Sequence, residues 1–407
     1  MNISVVGQGY VGLPVALAIS GAGHKVFGID SNTMVVTGLN EGKSHIEDIK
    51  DIEIQKLNEF GNYTATSDFT YISKSEVIVV CLPTPLFESS VPDLSILQNA
   101  VIDIAKNLKS GSLVIIESTI QPGTTRKLIL PLILNNSGLG IEDFDLAFSP
   151  ERIDPTNLNW NLHNTPKLVA GLNSKSCSRA AEFYSSFINQ VYECETLEIA
   201  ETAKLLENTF RLVNIALINE FTQLCAATDI NVHEVIDAAS SKPYGFMPFR
   251  PGVGVGGHCI PVDPLYLTWW ARQNGRRAEF VETADSINHT MPKYVAQRTL
   301  ELVDSSVTEP RVLILGVAYK PGVGDVRETP VSHLRDYLNA RGVEVAWHDP
   351  LVHTWDGSES VELEWECDVV VLATNQPGMD IERLIARGVQ ILDCTNSLKK
   401  LPGVTSL

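Results

Sequence analysis

Several features that mark whole classes of protein are missing from this 407-residue chain. No apolar run approaches the roughly 18 to 20 residues that a bilayer-spanning helix needs, so we expect no membrane span. The N-terminal MNISVVGQGY has no basic segment before its apolar residues and does not predict a signal peptide. The seven cysteines are scattered and include no CxxC pair, which argues against a disulfide framework and against a structural zinc site.

Basic residues are also scarce relative to acidic ones. The formal net charge is −18 and there is no long basic run, which argues against binding to nucleic acid or to an anionic membrane. The hydrophobic fraction of 44% and the charged fraction of 20% are ordinary for a globular protein. We therefore expect a cytoplasmic protein of two or three domains without a metal site.

The first positive signal is a glycine-rich turn near the N-terminus. The β-branched run ISVVG (3–7) fits a buried strand and leads through GQGYVG into a helical sequence. A second strand, KVFGID, ends at Asp30. Such glycines admit a pyrophosphate at a helix N-terminus, and the acidic residue bonds the adenine ribose and repels a 2′-phosphate. The alternative is a purely structural turn. The pattern predicts that NAD, rather than NADP, is bound by Gly7, Gly9, Tyr10, Val11, Gly12 and Asp30.

Further apolar strands follow at the spacing of a doubly wound α/β sheet. They are predicted at 76–84, 112–119, 145–151 and 167–171. Ligands of such sheets bind beyond the carboxyl ends of the strands, where Thr84, Thr119 and Glu151 lie. Each of these residues also has a simpler interpretation as a helix cap or strand end.

The middle of the chain is helical. The segment 195–228 has no Pro or Gly and shows the periodicity of one long helix. Lys204 and Asn208 share one face of this helix, and Arg211 approximately does so too. These residues form either a solvated stripe or a polar site on an otherwise apolar helix.

A glycine- and proline-rich loop, RPGVGVGGHCIPVDPLY (250–266), carries Cys259. It separates a helix predicted at 232–239 from more helix predicted from about 265 to 303. A lone cysteine in such a loop is either a small buried hydrophobe or a reactive thiol.

The last part of the chain returns to α/β alternation. Strands are predicted at 311–321, 343–350, 368–374 and 389–396. No GxGxxG follows the first of them; YKPGVGDVRETP carries Lys320 and Arg327 instead. Such a half can hold a nucleotide with cationic side chains, and the alternative is ordinary surface charge.

Taken together, the motifs resemble the UDP-glucose/GDP-mannose dehydrogenase family over essentially the whole chain. Besides GQGYVG with Asp30, the resemblance is carried by LPTPL (82–86), ESTIQPGTT (117–125), SPERIDP (149–155), KLLENTFRLVNIALINE (204–220), GVGGHCIPVDP (254–264) and AYKPGVGDVRET (318–329). It implies two Rossmann-like, doubly wound α/β domains joined by a helical domain. The implied boundaries are 1–195 for the NAD domain, 196–303 for a central, dimerising domain with the cysteine loop, and 304–407 for a UDP-sugar domain.

The resemblance implies a four-electron oxidation of a nucleotide sugar at C6, from the alcohol to the carboxylate, with NAD as acceptor. Cys259 would add to the intermediate aldehyde, and the resulting thioester would be hydrolysed. Lys204 and Asn208 would stabilise an oxyanion, and Glu151 would position or deprotonate the water. Thr119 would hold a water near C6, and Asp263 would tune Lys204 or the thiol. The implied catalytic set is therefore Cys259, Lys204, Asn208, Asp263, Glu151 and Thr119.

Binding residues are implied in the same way. NAD would also contact Pro83, Thr84, Thr119 and Glu151. The UDP-sugar would be bound by Arg152, Lys204, Asn208, Arg211, Arg250, Gly256, His258, Lys320 and Arg327. For His258 the alternative is a hydrogen bond to the loop backbone.

The sugar is indicated by the residues around the cysteine. GGHC resembles the branch that acts on UDP-N-acetylhexosamines, and KPYGFMPF is most similar to UDP-N-acetylglucosamine 6-dehydrogenases. UDP-N-acetylmannosamine and UDP-glucose are the alternatives, and the product would serve surface polysaccharide or a nucleoside-type natural product. Three positions depart from the branch: Gly322 replaces an acidic or amide residue, Gln376 a histidine and Thr395 an arginine.

Two functions of other classes compete with this hypothesis. A 3-hydroxyacid-type dehydrogenase shares the first domain and the helical middle, but it transfers one hydride and needs neither Cys259 nor a third domain. A non-catalytic nucleotide-sugar binder would explain the departures but not the retention of the catalytic set.

Overall fold

The computed structural model of the chain describes residues 1–46, 49–87, 91–154, 157, 159–257, 259–398 and 401–407. Its internal contacts separate two compact units. One unit contains Met1–Glu207 with Leu265–Arg276, and the other contains Asn208–Pro264 with Arg277–Leu407. The three-domain boundaries after residues 195 and 303 stay a prediction.

The first unit is built around an eight-stranded sheet. Its strands are β1 (Asn2–Val6), β2 (Lys25–Ile29), β3 (Tyr63–Thr66), β4 (Val77–Val80), β5 (Leu113–Ile116), β6 (Asp145–Phe148), β7 (Lys167–Gly171) and β8 (Val191–Glu193). They are ordered β3-β2-β1-β4-β5-β6-β7-β8. All neighbouring strands are parallel except β6 and β7, which are antiparallel.

Helices connect and cover these strands. They are α1 (Gly12–Gly21), α2 (Thr33–Asn40), α3 (Asp51–Phe60), α4 (Ser95–Asn107), α5 (Leu130–Ser137) and α6 (Ser174–Ser185), with a 3-10 helix at Phe69–Lys74 and a π-helical turn at Thr125–Ile129. The runs VIVV in β4 and LVII in β5 are buried at every residue. A parallel strand covered by helices on both faces has this continuous apolar pattern.

The long helix α7 (Leu197–Ala226) runs from the first unit into the second. It lies within the predicted segment 195–228 and confirms the long helix. The second unit continues with α8 (Val232–Ser240), and the helices after the cysteine loop are α9 (Asp263–Gln273) and α10 (Glu279–Glu301). More helix was predicted from about 265 to 303, and it is present there as these two helices. The helical conformation is interrupted at Gly275, whose φ of +65° lies in the left-handed region that ends a helix.

The second unit has its own five-stranded parallel sheet. Its elements are β9 (Arg311–Leu315), α11 (Val331–Asn339), β10 (Glu344–His348), β11 (Thr354–Trp355), β12 (Ser358–Glu359), β13 (Val369–Leu372), α12 (Ile381–Ala386), β14 (Gln390–Asp393) and β15 (Val404–Ser406). The sheet order is β10-β9-β13-β14-β15, and β11 pairs with β12 as a separate ribbon. The strand order reverses between β9 and β13, as it does between β1 and β4 in the first sheet. The predicted fold class, two doubly wound α/β sheets and a long helix, is confirmed.

Across the described residues, every helix is too short or too polar to traverse a bilayer.

Candidate active site

The glycine turn after β1 has the geometry that its sequence predicts. Gly7 has a φ of +89° and donates its N–H to the carbonyl of Ile29 at 2.8 Å. A Cβ on Gly7 would lie 2.4 Å from the carbonyl oxygen of Cys81, and one on Gly12 would lie 1.8 Å from the carbonyl oxygen of Gly7. Both glycines are therefore required by the packing of the backbone alone.

Gly9 is different, because a Cβ there would meet no atom within 4 Å. The protein itself does not require glycine at this position, so the open space is available to a ligand. Helix α1 begins three residues later and no side chain caps its N-terminus, which leaves backbone N–H groups to bind an anion. The turn therefore fits the pyrophosphate of NAD. Of its other residues, Tyr10 and Val11 are both half-buried.

Asp30 is fixed directly after β2 by two backbone donors. Its Oδ2 accepts the N–H of Gln8 at 2.9 Å, and its Oδ1 accepts the N–H of Asn32 at 2.8 Å. The residue is half-buried, so its remaining lone pairs stay accessible to a ribose hydroxyl. Sequence reasoning missed the support beneath it. The buried side chain of Gln8 donates to the carbonyl of Val5 and accepts the hydroxyl of Tyr63 at 2.8 Å.

The loops after β4 and β5 are tied together. The hydroxyl of Thr84 donates to the carbonyl of Thr119 at 2.7 Å, and the carbonyl of Thr84 accepts the hydroxyl of Tyr266 at 2.7 Å. Thr84 and Thr119 are half-buried, and Pro83 is exposed. Two of the predicted strand-end residues are thus neighbours at this edge of the sheet.

Glu151 and Lys204 also lie together. The ammonium of Lys204 donates to the backbone carbonyl of Glu151 at 2.6 Å and lies 3.9 Å from its carboxylate oxygen Oε2. Burial raises the pKa of Glu151, and the charge of Lys204 opposes that rise. A carboxyl group with a raised pKa beside a buried ammonium is suited to proton transfer.

Arg152 is engaged by protein groups. It donates through Nε and Nη2 to the two carboxylate oxygens of Glu207, at 3.2 and 2.6 Å. A third donor, Nη1, reaches the carbonyl of Pro166 at 2.7 Å. These contacts hold the segment after β6 against α7.

Asn208, the second polar residue on this face of α7, is hydrogen-bonded to the end of the cysteine loop. Asn208 is 7% exposed and donates its amide to the carboxylate of Asp263 at 2.5 Å. Asp263, the first residue of α9, is 4% exposed and donates its backbone N–H to the carbonyl of Cys259 at 2.8 Å. Lys204 and Asn208 are both buried, so this face of α7 is not a solvated stripe. Arg211, in contrast, is exposed.

The glycines before Cys259 pack against the loop that follows β9. A Cβ on Gly256 would lie 2.7 Å from the Cβ of Tyr319, and Gly257 has a φ of +84°. The N–H of Gly257 donates to the carbonyl of Arg327 at 3.1 Å. The glycine run therefore brings the backbone of the cysteine loop against the loop with the predicted nucleotide-binding cations. Cys259 is half-buried, and all seven cysteines are thiols.

Lys320 is half-buried, and Arg327 is held by Asp325 through its side chain and its backbone. Arg250 is exposed and paired with Asp237, and it also donates to the carbonyl of His233 at 3.4 Å. His258 lies outside the described residues. Over the part of the chain that is described, no group of three or more His, Cys, Asp and Glu side chains is arranged to hold a metal ion.

Sequence reasoning missed two buried carboxylates of the first unit. Glu201, one turn before Lys204, accepts the backbone N–H groups of Gly123 at 2.5 Å and Thr125 at 2.9 Å, and burial raises its pKa to about 7. Glu117 pairs with Lys167 at 3.0 Å and accepts the hydroxyl of Tyr184. Glu117 directly follows the apolar run LVII (113–116), whereas Glu201 lies among other charged residues and nothing in the sequence marks it.

Comparison with known proteins agrees with this architecture. The chain matches three domain models of the UDP-glucose/GDP-mannose dehydrogenase family: the NAD binding domain over residues 1–192, the central domain over 198–290 and the UDP binding domain over 313–400. The family predicted from the motifs is therefore confirmed, as is NAD as the cofactor.

Individual relatives cover most of the chain. The UDP-N-acetyl-D-mannosamine dehydrogenase of Pyrococcus horikoshii is 36% identical over 93% of this chain and 90% of the relative. The UDP-N-acetyl-D-glucosamine 6-dehydrogenase of Pseudomonas aeruginosa is 35% identical over 88% of this chain and 84% of the relative. A solved structure of the Pyrococcus horikoshii enzyme superposes with a TM-score of 0.90 and 33% identity, covering 100% of this chain and 99% of the other. The protein belongs to the UDP-glucose/GDP-mannose dehydrogenase family of NAD-dependent nucleotide-sugar dehydrogenases, and within it lies with the UDP-N-acetylhexosamine branch.

Proposed function

We propose that the protein oxidises the C6 alcohol of a UDP-N-acetylhexosamine to the carboxylate, with two NAD consumed and a thioester formed on Cys259. When bound at the glycine turn, NAD accepts one hydride in each of the two oxidations. In the first, the C6 alcohol loses a hydride and a proton and becomes an aldehyde. The Cys259 sulfur then adds to that carbon, and its proton ends on the oxygen of the thiohemiacetal.

The second oxidation needs this addition, because an aldehyde carbon becomes a hydride donor only once a nucleophile has made it tetrahedral. Loss of the hydride and the hydroxyl proton leaves a thioester. Water then releases the carboxylate and restores the thiol. The overall balance is one alcohol, two NAD and one water converted to one carboxylate, two NADH and three protons.

The observation that carries the proposal is the bonding around the cysteine loop. The Asn208 amide donates to Asp263, and Asp263 donates its N–H to the carbonyl of Cys259. These bonds fix the backbone of a half-buried thiol directly before a helix. A cysteine that served only as a small core residue would need no such polar support.

We assign Lys204 and Asn208 to stabilising the oxyanion and Glu151 to positioning or deprotonating the water that hydrolyses the thioester. Thr119 would hold a water near C6. The contact of Lys204 with the carbonyl of Glu151 and the raised pKa of that carboxyl support this assignment. Lys320 and Arg327 would bind the UDP diphosphate, and Asp325 would orient the guanidinium. The pairs that Arg152 and Arg250 form within the protein favour loop support for both residues over direct substrate contact.

The sugar epimer has two candidates. The residues around Cys259 favour UDP-N-acetylglucosamine, whereas the relatives include both glucosamine and mannosamine enzymes. A direct test is to mix the purified protein with NAD and, separately, UDP-GlcNAc, UDP-ManNAc, UDP-GalNAc and UDP-glucose, and to count NADH per sugar consumed. We expect about two NADH with a UDP-N-acetylhexosamine and little with UDP-glucose. One NADH per sugar would contradict the thioester route, and binding without turnover would favour the nucleotide-sugar binder.

The covalent step has its own test. Cys259→Ser is expected to stop before the carboxylate while NAD binding, measured by calorimetry, stays at the wild-type affinity. Cys367→Ser, which changes another half-buried thiol, is the matched control and is expected to keep the full NADH yield. A wild-type NADH yield from Cys259→Ser would contradict the covalent mechanism.

We also propose that the enzyme is a cytoplasmic homodimer joined through α7. Phe210, Leu217, Phe221 and Leu224 on this helix are large apolar side chains exposed by 39 to 59%. A contiguous apolar face of this kind is expected to be covered by a second copy. Light scattering should give twice the mass of the chain, and Leu217→Glu should lower it to that of one chain.

A further inference from the structure

In the second sheet, the crevice where the strand order reverses is bridged by one buried side chain. Gln376, in the loop after β13, is 2% exposed. Its Oε1 accepts the N–H of Gly322 at 2.8 Å, and its Nε2 donates to the carbonyl of Val323 at 2.9 Å. A ligand of a doubly wound sheet normally occupies this crevice. Here an amide from one side of it binds the backbone on the other.

The bridge reaches a second buried group. The Nε2 of Gln376 lies 3.3 Å from Oδ2 of Asp349, which is 1% exposed. The same oxygen accepts the N–H groups of Val317 at 2.9 Å and Ala318 at 3.2 Å. One amide side chain thus joins the turn after β9, the end of β10 and the loop 320–323.

The loop that Gln376 holds is the one that carries the predicted nucleotide-binding cations. Lys320 lies two residues before Gly322, and Arg327 follows after Asp325. Within the loop, the N–H of Tyr319 donates to the carbonyl of Asp325 at 3.1 Å, which closes it into one unit. Its far end bonds to Gly257 of the cysteine loop. A displacement at Gly322 would therefore reach both cations.

We infer that Gln376 is a positioning residue for the nucleotide half of the substrate: its side chain fixes the loop 319–327 so that Lys320 and Arg327 meet the diphosphate. This inference rests on the proposed function, which assigns those two cations to UDP. It also joins two of the departures from the branch, because Gly322 and Gln376 are hydrogen-bonded partners. A polar side chain that spans a buried crevice keeps its geometry only if each of its bonds is made, so removing the amide releases the loop.

The test compares the two halves of the reaction. Gln376→Met keeps the length of the side chain and removes both backbone bonds. We expect the KM for the UDP-sugar and the dissociation constant for UDP, measured by calorimetry, to rise roughly tenfold, since each bond contributes modestly. The KM for NAD and kcat should stay within about twofold. The exposed Gln390→Met in β14 is the matched control and is expected to change none of these values.

Two further variants keep the inference falsifiable. Gln376→Glu has the same shape but turns an oxygen toward the carbonyl of Val323 and the carboxylate of Asp349, so it should also raise the KM for the UDP-sugar. In the double variant Lys320→Ala/Arg327→Ala, the additional change Gln376→Met should have little further effect on UDP binding, because both cations that it positions are gone. Additive effects on UDP binding, or a parallel loss of NAD affinity, would overturn the positioning role.

The same set separates failure of the inference from failure of the proposed function. If Lys320→Ala and Arg327→Ala both leave the UDP affinity unchanged, the assignment of the diphosphate to this loop is wrong. If those two variants weaken UDP binding and the Gln376 variants do not, the assignment stands and the inference about Gln376 is wrong.

Discussion

Two glycine turns, one in each sheet, begin alike and end differently. Gly7 after β1 and Gly316 after β9 both have positive φ, of +89° and +78°. Each donates its N–H to the last residue of the neighbouring strand, Ile29 at 2.8 Å and His348 at 2.9 Å. The next N–H in each turn then donates to a carboxylate one residue beyond that strand. This carboxylate is Asp30 in the first sheet and Asp349 in the second.

The turns diverge at the third position and at the carboxylate. The first has Gly9, with open space where a Cβ would lie, and the second has Ala318. Asp30 is half-buried, whereas Asp349 is 1% exposed and bonded to Gln376. The fold therefore requires Gly7, whereas it leaves open space at Gly9, where we propose that the ligand lies. The same backbone turn thus leaves space for a dinucleotide in the first sheet. In the second sheet, Ala318 and the bond between Gln376 and Asp349 close the corresponding space.

The largest effect is expected from substituting the glycine that begins each turn, Gly7 or Gly316. Gly7→Ala and Gly316→Ala should each lower the free energy of unfolding by roughly 2 to 5 kcal/mol. Each new Cβ adds the left-handed strain of a non-glycine residue to a backbone clash. That Cβ would lie 2.4 Å from the Cys81 oxygen in the first case and 2.0 Å from the Thr374 oxygen in the second. Urea denaturation measures the effect. An unchanged midpoint in either variant would show that the two turns do not share the requirement for glycine at this position.

The two carboxylates should respond unequally to the same change. Asp349→Asn places an amide among buried N–H donors, so one donor loses its acceptor at a cost of about 1 to 3 kcal/mol. Asp30→Asn is expected to cost less than about 1 kcal/mol of stability, because water reaches the site, but it should weaken NAD binding. Denaturation and NAD titration of both variants separate the two effects. Equal losses of stability would mean that Asp30 is as enclosed as Asp349.

Substitution of Gly9 tests the proposal that this glycine serves NAD binding and not the fold. Gly9→Ala should keep the stability within about 1 kcal/mol of the wild type, because the added Cβ meets no protein atom. It should nonetheless raise the dissociation constant of NAD roughly tenfold or more, since the methyl group occupies space needed by the pyrophosphate. The converse change, Ala318→Gly, should confer no NAD affinity on the second sheet. Tight NAD binding by Gly9→Ala would contradict the role assigned to this glycine.

We propose that Asp30 sets the choice of cofactor. Asp30→Arg should weaken NAD binding and improve NADP binding, because the carboxylate that bonds the ribose is replaced by a cation that pairs with a 2′-phosphate. The ratio of kcat/KM for the two cofactors is the measurement. An unchanged ratio would mean that this side chain does not reach the ribose.

The sequence predicted the parts of the fold that depend on short stretches of chain. The runs VIVV and LVII identify buried parallel strands, and Gly7 and Gly12 are required by contacts that any chain with this turn must make. The strands β3, β8 and β15 were missed, because YTAT, VYE and VTS are short and contain no continuous apolar run that would identify a buried strand. The break at Gly275 was missed for a related reason, since one glycine in a helical stretch does not say whether its φ is positive.

Hydrogen bonds between distant polar residues were harder to predict from the sequence than helices and strands. The bonds from Glu201 to Gly123 and from Gln376 to Gly322 join positions 78 and 54 residues apart, and no local pattern marks either pair. Gly322 and Gln376 drew notice only as departures from a familiar motif. Only the fold brings the two together and explains them as one contact.

The smallest expected effect concerns the path taken after each turn. In the first sheet the chain enters α1 at Gly12, whereas in the second it passes through Gly322, at a φ of +80°, before α11 begins. Gly322→Ala should cost roughly 1 to 2 kcal/mol, because alanine is strained in the left-handed region. Gly322→Asn should cost less, since asparagine tolerates that region and keeps the N–H that Gln376 accepts. Urea denaturation of the two variants gives the order. If the alanine and asparagine variants have the same free energy of unfolding, the left-handed conformation of Gly322 does not stabilise the second turn. The bond from Gly322 to Gln376 would then have to stabilise it alone.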